Sequence, residues 1–289
     1  YNFESVNSPD RLTTPLIKSG SELVATSWSV ALESAARMIR LALAQNTNSV
    51  AILGGARGTN EDAFAWAMLA DKLGINQRDA QLGDGLSPDI FDLAQATIDQ
   101  TCAAPTIILL APDLKEELPV LYLRVRDAAQ KRKSRIVEFS SHDSGLTPYA
   151  WRTMGFEPGN QAQIVCEALA TPEMKEQLAR GEVVVVVGRA NLAESEVFTL
   201  QALAEIFAAV PSAKVLPVLR RGNVRGAVTA GLTPQNNSGD AIDILNAAAA
   251  GKIECLILLG VDPMSDVADS GLVQRALTQV KNLISIDTM

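Results

Sequence analysis

Among the residue types that carry chemistry, this sequence holds a single histidine, His142, and three cysteines, Cys102, Cys166 and Cys255, set far apart. That spread spells neither a disulfide framework nor a cysteine-rich metal site, and it points to a reducing compartment. His142 stands between Ser141 and Asp143 in SSHDSG. Adjacent side chains diverge, whereas a catalytic triad draws distant residues to one point. The triplet therefore reads as a loop of short polar groups following a strand.

Binding chemistry is written in four other places. GGARGTNED, Gly54 to Asp62, lies where a strand gives way to a helix, so its backbone N–H groups are placed to meet a phosphate. It lacks a full G-x-G-x-x-G and an acidic partner for a ribose, which favours a tight turn needing small residues. LRRGNVRGAVTAGLTP, Leu219 to Pro234, sets Arg220, Arg221, Asn223, Arg225 and Gly226 just after a strand. Such a segment suits bidentate contacts to an anion, and equally an ordered loop whose arginines pair with the chain's own carboxylates. In LGVDPMSD, Asp262 falls at the carboxyl edge of a strand, where it can take hydrogen bonds from a ligand or cap the next helix. Lys131, Arg132, Lys133 and Arg135 complement the dipole at a helix C-terminus, a solvated end rather than a docking patch.

Elements of alternating type must position these groups. NSVAILGG, TIILLAP, RIVEF, EVVVVVG, KVLPVL, ECLILLG and LISID are apolar runs without polar alternation, which means strands buried on both faces. Helical patterns fill the intervals. Trp28, Ala31, Leu32, Ala35, Met38, Ile39 and Ala42 follow a 3.6-residue stripe behind Ser27 as cap, after a short strand at Leu23 and Val24. Thr59 and Asp62 form a capping box for a helix that Gly74 ends. The order predicts an α/β chain of two doubly wound, Rossmann-like lobes with mostly parallel sheets. A stretch rich in Gly, Pro and Ser after Ser140 divides them near Asn160: a leading arm over 1–27, a first lobe over 28–160 and a second over 161–289.

Composition agrees with a packed chain and narrows its partners. The 289 residues are 47% apolar and 20% charged, and 25 basic against 33 acidic side chains leave a net charge of −8. A surplus of negative charge opposes non-specific attraction to nucleic acid or an anionic bilayer. No apolar run approaches the ~20 residues that a membrane-spanning helix needs. An opening at Tyr1 and a close at Met289 directly after a strand read as truncation at both ends of a longer protein.

Taken together, these segments resemble the molybdopterin oxidoreductase superfamily. SPDRLTTPLI followed by ATSWSVAL is similar to that family's opening, DRLT-x-P-(L/I) and a tryptophan-led helix. GNVRGAVTAGLTP resembles its N-x-x-GA-x-DMG-x-x-P segment, and LILLGVDPMSD its strand ending in G-(E/A)-(N/D)-P. More closely, LGDGLSPDIF, APDLKEELPVLYLRVRDAAQKRKSRIVE and SGLTPYAWR resemble the G-subunit family of NADH-quinone oxidoreductase, respiratory complex I, in its actinobacterial form. Two departures stand out. Where catalytic members place a metal-ligating Cys, selenocysteine, Ser or Asp, this chain has INQRDAQLGDGLSPDI, whose Asp79 and Asp84 nothing singles out. Where those members show D-P-R, it has Ser140, Ser141 and His142.

The resemblance implies an electron-transfer subunit passing electrons from NADH to quinone through iron–sulfur clusters held upstream of Tyr1. It implies no catalytic residue, metal ligand or cofactor in this region, which serves as a scaffold against other subunits of the cytoplasmic arm, peripheral on the cytoplasmic side of the membrane. Two alternatives stay open. In a fragment of a catalytic molybdopterin oxidoreductase, such as a formate dehydrogenase alpha subunit, Arg220, Arg221, Asn223, Arg225, Gly226 and Asp262 would line a pterin dinucleotide. A stand-alone nucleotide-binding module would use Gly54 to Asn60.

Overall fold

The computed structural model describes residues 6–192 and 194–289. Eleven strands are described: β1 (Leu16–Ser19), β2 (Glu22–Ala25), β3 (Val50–Gly54), β4 (Arg78–Asp79), β5 (Thr106–Leu110), β6 (Arg135–Ser140), β7 (Arg152–Gly155), β8 (Val183–Val187), β9 (Lys214–Pro217), β10 (Cys255–Leu259) and β11 (Asn282–Ile286). β1 and β2 form an antiparallel hairpin, Leu16 opposite Ala25, that turns at Gly20. The other nine strands make two parallel sheets, and the apolar runs of β3, β5, β8 and β10 are buried throughout, whereas β11, expected to be buried on both faces, is largely exposed at a sheet edge.

Two compact units contain them. One joins the chain up to Gly83 with Arg221–Met289; the other is Asp84–Arg220. The division near Asn160 is therefore corrected. Position 160 lies within the second unit, because β6 pairs with β7 before it and β5 pairs with β8 after it, all in one sheet. The Gly-, Pro- and Ser-rich stretch marks loops and the edge strand β7. Local composition reports a loop; only strand pairing reports a domain.

The first unit holds the sheet ordered β11-β10-β3-β4. Leu53, Leu256 and Leu258 pack on one face against helices Ala241–Ala249 and Ser270–Gln279, through Ile244, Leu245, Leu272 and Val273. Helix Trp28–Gln45 lies against β3 and β10 and buries only Ala42 fully. Ser27 caps it as expected, accepting from Val30 N–H at 3.4 Å. Helix Asn60–Leu73 begins with the capping box of Thr59 and Asp62 and ends at Gly74, in the left-handed region at φ 69°. Chain leaving β3 runs through this helix to β4 on one side, and chain leaving β10 runs through Ser270–Gln279 to β11 on the other. β3 and β10 are thus the pair at which the winding reverses.

The second unit holds the sheet ordered β7-β6-β5-β8-β9. Alternate residues of its strands enter separate cores. Ile108, Val137, Val185 and Val187 meet helices Gln161–Ala170 and Glu196–Ala209, while Ile107, Leu109, Ile136 and Val186 meet helix Pro119–Lys131. Each fully buried valine of Val183–Val187 contributes about 1.5–3 kcal/mol. Here the winding reverses between β5 and β8.

Candidate functional site

Open parallel sheets offer a crevice at the carboxyl ends of the strands where the winding reverses, since the loops there diverge. In the first unit that place lies between the loops after β3 and β10, and glycines bring the two together. Gly54 and Gly55 both have φ 99°. A Cβ on Gly54 would meet the Leu259 carbonyl and stand 2.7 Å from Val261 Cγ1. Gly55 N–H donates to Leu259 O at 2.8 Å. GGARGT is thus the tight turn its small residues allow.

Across this junction the Arg57 guanidinium donates to both oxygens of Asp266, at 2.7 Å each, and to Gly260 O at 3.1 Å. Arg221, with a side chain only 3% exposed, reaches the same carboxylate at 3.5 Å. Asp262 N–H donates to it at 3.2 Å. The bonds from Arg57 come first among the causes holding the Asp266 carboxyl below the ordinary carboxylate range, with Arg221 adding to them. Asp262 caps the short helix Pro263–Asp266, one oxygen accepting from Met264 N–H at 3.1 Å and the other from Ser265 Oγ at 2.7 Å. The capping alternative is the one realised.

Asn223 donates to Gly58 O at 3.1 Å and Asn60 Oδ1 at 3.0 Å, tying the start of helix Val224–Ala230 to the loop after β3. A Cβ on Gly226 would collide with the oxygens of Asn60 and Asn223, so the close approach that this glycine permits is used by the chain itself. Beside it lies an open groove of about 610 Å³ lined by Asn60, Phe64, Asn223, Arg225, Gly226, Thr229 and Ala230. Arg220 is the last residue of the second unit, and its guanidinium pairs with Glu117 there. Of the six residues read from sequence, Arg220 belongs to the second unit and the other five to the first. The residue that organises that edge is Asp266, the later aspartate of LGVDPMSD, which sequence reasoning passed over in favour of Asp262.

The remaining candidates are internal fittings. Asp79 accepts from Gln81 N–H at 2.9 Å and from Ala241 N–H at 3.0 Å, which occupies both oxygens. Asp84 is buried in the second unit. Ser141 Oγ and His142 Nδ1 lie 3.3 Å apart on the exposed loop, while Ser140 Oγ donates to His142 O at 2.7 Å. Among the described residues no three His, Cys, Asp or Glu side chains converge as metal ligands. Nor, among them, is any helix long and apolar enough to cross a membrane.

Two buried charges in the second unit carried no sequence signal. Arg189, after β8, donates to Gly85 O at 3.5 Å, Leu192 O at 3.4 Å and Glu194 O, and burial pulls its pKa down while Glu196 and Asp84 oppose the shift. Glu138, 2% exposed within β6, accepts from Ser144 Oγ, from Thr147 Oγ1 at 2.7 Å and from Thr153 Oγ1 at 3.3 Å.

Residues 11–289 match the model of the family described as Molybdopterin oxidoreductase. The chain belongs to that family. It is 29% identical over 329 residues to the NADH-quinone oxidoreductase G subunit of Mycobacterium bovis, an alignment taking in 99% of this chain and 40% of the relative. The chain thus spans about 40% of the length of that relative. Likeness to the F420-dependent formate dehydrogenase 2 subunit alpha of Methanococcus maripaludis is 40% over 65 residues, 22% of this chain and 9% of that one. Acetylene hydratase from Pelobacter acetylenicus shares the fold, with a TM-score of 0.63 at 12% identity, covering 97% of this chain and 53% of that structure.

Proposed function

We propose that this chain is the molybdoenzyme-like region of an electron-transfer G subunit of NADH-quinone oxidoreductase, and that it acts as a scaffold with no metal or pterin of its own. Electrons would pass from NADH to quinone through iron–sulfur clusters outside these residues. Other subunits of the cytoplasmic arm of complex I would be its partners, placing it peripherally on the cytoplasmic side of the membrane. Electron transfer over packed units asks for no acid, base or nucleophile here.

One observation carries the reading: likeness to the NADH-quinone oxidoreductase relative runs through 99% of the chain, whereas likeness to the formate dehydrogenase stops at 22%. The chemistry of the donor set supports it. A pterin dinucleotide needs polar side chains turned toward it, yet both oxygens of Asp262, both of Asp266 and the amide of Asn223 are bonded to the chain's own groups. On this reading, those groups serve the chain's own fold rather than a pterin.

A second reading, part of a catalytic molybdopterin oxidoreductase, is favoured by the 65-residue segment shared with the formate dehydrogenase. Metal analysis of the intact holoprotein separates the two. Iron without molybdenum or tungsten is expected; either of those metals in stoichiometric amount would overturn the proposal.

A further inference from the structure

The two parallel sheets have four outer edges, at β4, β7, β9 and β11, and three of them are guarded. β4 is two residues long and buried. β7 carries Arg152, which pairs with Glu173. β9 carries Lys214 and Pro217, and a loop occupies its outer side: Ala96 N–H donates to Val215 O at 2.8 Å and Val215 N–H to Ala94 O at 2.8 Å. Short length, charge, proline and cover are the devices by which an edge avoids taking on another strand. β11 uses none of them. Among the described residues no strand lies on its outer side, and its sequence Asn282–Ile286, NLISI, holds neither charge nor proline. Leu283 is 47% exposed and Ile286 45%.

Backbone phase fixes what this edge offers. Asn282 N–H donates to Glu254 O at 2.9 Å, and Ile286 O accepts from Gly260 N–H at 2.9 Å, so these residues turn their backbone groups toward β10. Successive residues of a strand turn those groups to opposite sides. Leu283 and Ser285 therefore present N–H and C=O outward.

We propose that β11 pairs with β11 of a second copy of this chain, antiparallel about a two-fold axis at Ile284, which joins the two four-stranded sheets into one. A closed dimer presents the same patch to itself, and two like edges in ladder phase meet antiparallel. With the axis at Ile284, Leu283 exchanges both backbone bonds with Ser285 of the second copy, and Ser285 with its Leu283. Asn282 falls opposite Ile286. The proposal rests on β11 and not on the reading of the chain as part of a G subunit.

Charge selects both the register and the occupant. In this register Lys281 comes opposite Asp287 of the second copy at each end of the pairing, and opposite charges facing across strands attract. Lys281 holds Glu254 at 2.7 Å yet stays 68% exposed, and its ammonium has further donors for a second carboxylate. Asp287 is exposed and, among the described residues, makes no salt bridge. Moving the axis to Leu283 or Ser285 sets Asp287 opposite Gln279 or Leu283 instead and leaves part of the strand unpaired. Each charge is thus met by the strand's own sequence, which points to a copy rather than to a foreign segment.

The test uses the full chain, its mass followed by sedimentation velocity across a dilution series. A dimer that dissociates on dilution is expected. Ser285→Pro removes an N–H that faces outward and leaves the bonds to β10 in place, so the monomer should melt as wild type does while the dimer weakens about tenfold or more. Asp287→Lys sets like charges opposite each other and should weaken the dimer as well. Register is read by disulfide cross-linking in a Cys166→Ser background, since Cys166 is exposed. Ile284 faces its own copy across a pair without backbone bonds, where Cα atoms lie about 4.5 Å apart, within disulfide reach. Ile284→Cys should therefore cross-link on mild oxidation. Asn282→Cys should not, because its copy lies four positions along the facing strand, roughly 13 Å away. A monomer at every concentration, a dimer indifferent to Ser285→Pro or Asp287→Lys, failure of Ile284→Cys to cross-link, or cross-linking by Asn282→Cys would overturn the proposal. So would protection of the Leu283 and Ser285 amides from hydrogen exchange in a monomeric holoprotein, which would put a different segment on this edge. Molybdenum in the holoprotein would sink the subunit reading and leave this pairing standing.

Discussion

The Arg57 guanidinium grips both oxygens of Asp266 from 209 positions away in the sequence, bolting the loop after β3 to the helix after β10. Asp266→Ala removes a carboxylate that two arginines share and is expected to lower stability by about 2–4 kcal/mol. Arg57→Ala should cost less, about 1 kcal/mol, because its side chain is 46% exposed and water replaces part of what is lost. Denaturant unfolding of the two variants checks the order.

The same pair sets a pH dependence. The folded state holds the Asp266 pKa below its ordinary 3.8, chiefly through Arg57, so its contribution is complete above that value and is lost as pH falls through the depressed one. Asp266→Asn should therefore be less stable than wild type at neutral pH, with the gap narrowing below about pH 4 as the wild-type carboxylate protonates. Thermal melts across that range read it directly; a constant gap would contradict the assignment.

Glycines at positive φ should divide by what surrounds them. Gly54→Ala drives a methyl into the Leu259 carbonyl and Val261, a backbone that cannot yield, and is expected to cost about 2–4 kcal/mol. Gly74→Ala has nothing within 4 Å and should cost only the left-handed conformation, about 1 kcal/mol. The ratio of the two, measured under one denaturant, tests the packing of β3 against β10.

Thiol reactivity should single out one cysteine. Burial pushes the Cys255 pKa up to about 11 and raises that of Cys102, while Cys166 is exposed. Alkylation at about pH 8 should label Cys166 rapidly and the other two only on unfolding, since the thiolate is the reacting form. Rapid labelling of Cys255 would mean that β10 is not the buried strand described.

What could be read from the sequence was local. The capping box of Thr59 and Asp62, the Ser27 cap, the Gly74 stop and the runs that became β3, β5, β6, β8, β9, β10 and β11 all speak within a few residues of themselves. Pairings across the chain were silent. Nothing near Arg57 announces Asp266, and nothing in RIVEF announces that three hydroxyls will surround Glu138. The two-residue β4 is too short to show a period, and β7 hides in a loop-like composition. Arg220 and Arg221 read as a pair because they are adjacent, yet their salt bridges belong to different units.

The interrupted first unit carries a consequence for synthesis on the ribosome. Val50 has no neighbour to pair with until Cys255 emerges, whereas Thr106, Arg135 and Val183 become available in turn within one unbroken stretch. Long-range closure is slow and short-range closure fast. The middle of this polypeptide should therefore be ready before the first unit's parallel sheet, whose β3 has only the two-residue β4 beside it until β10 arrives.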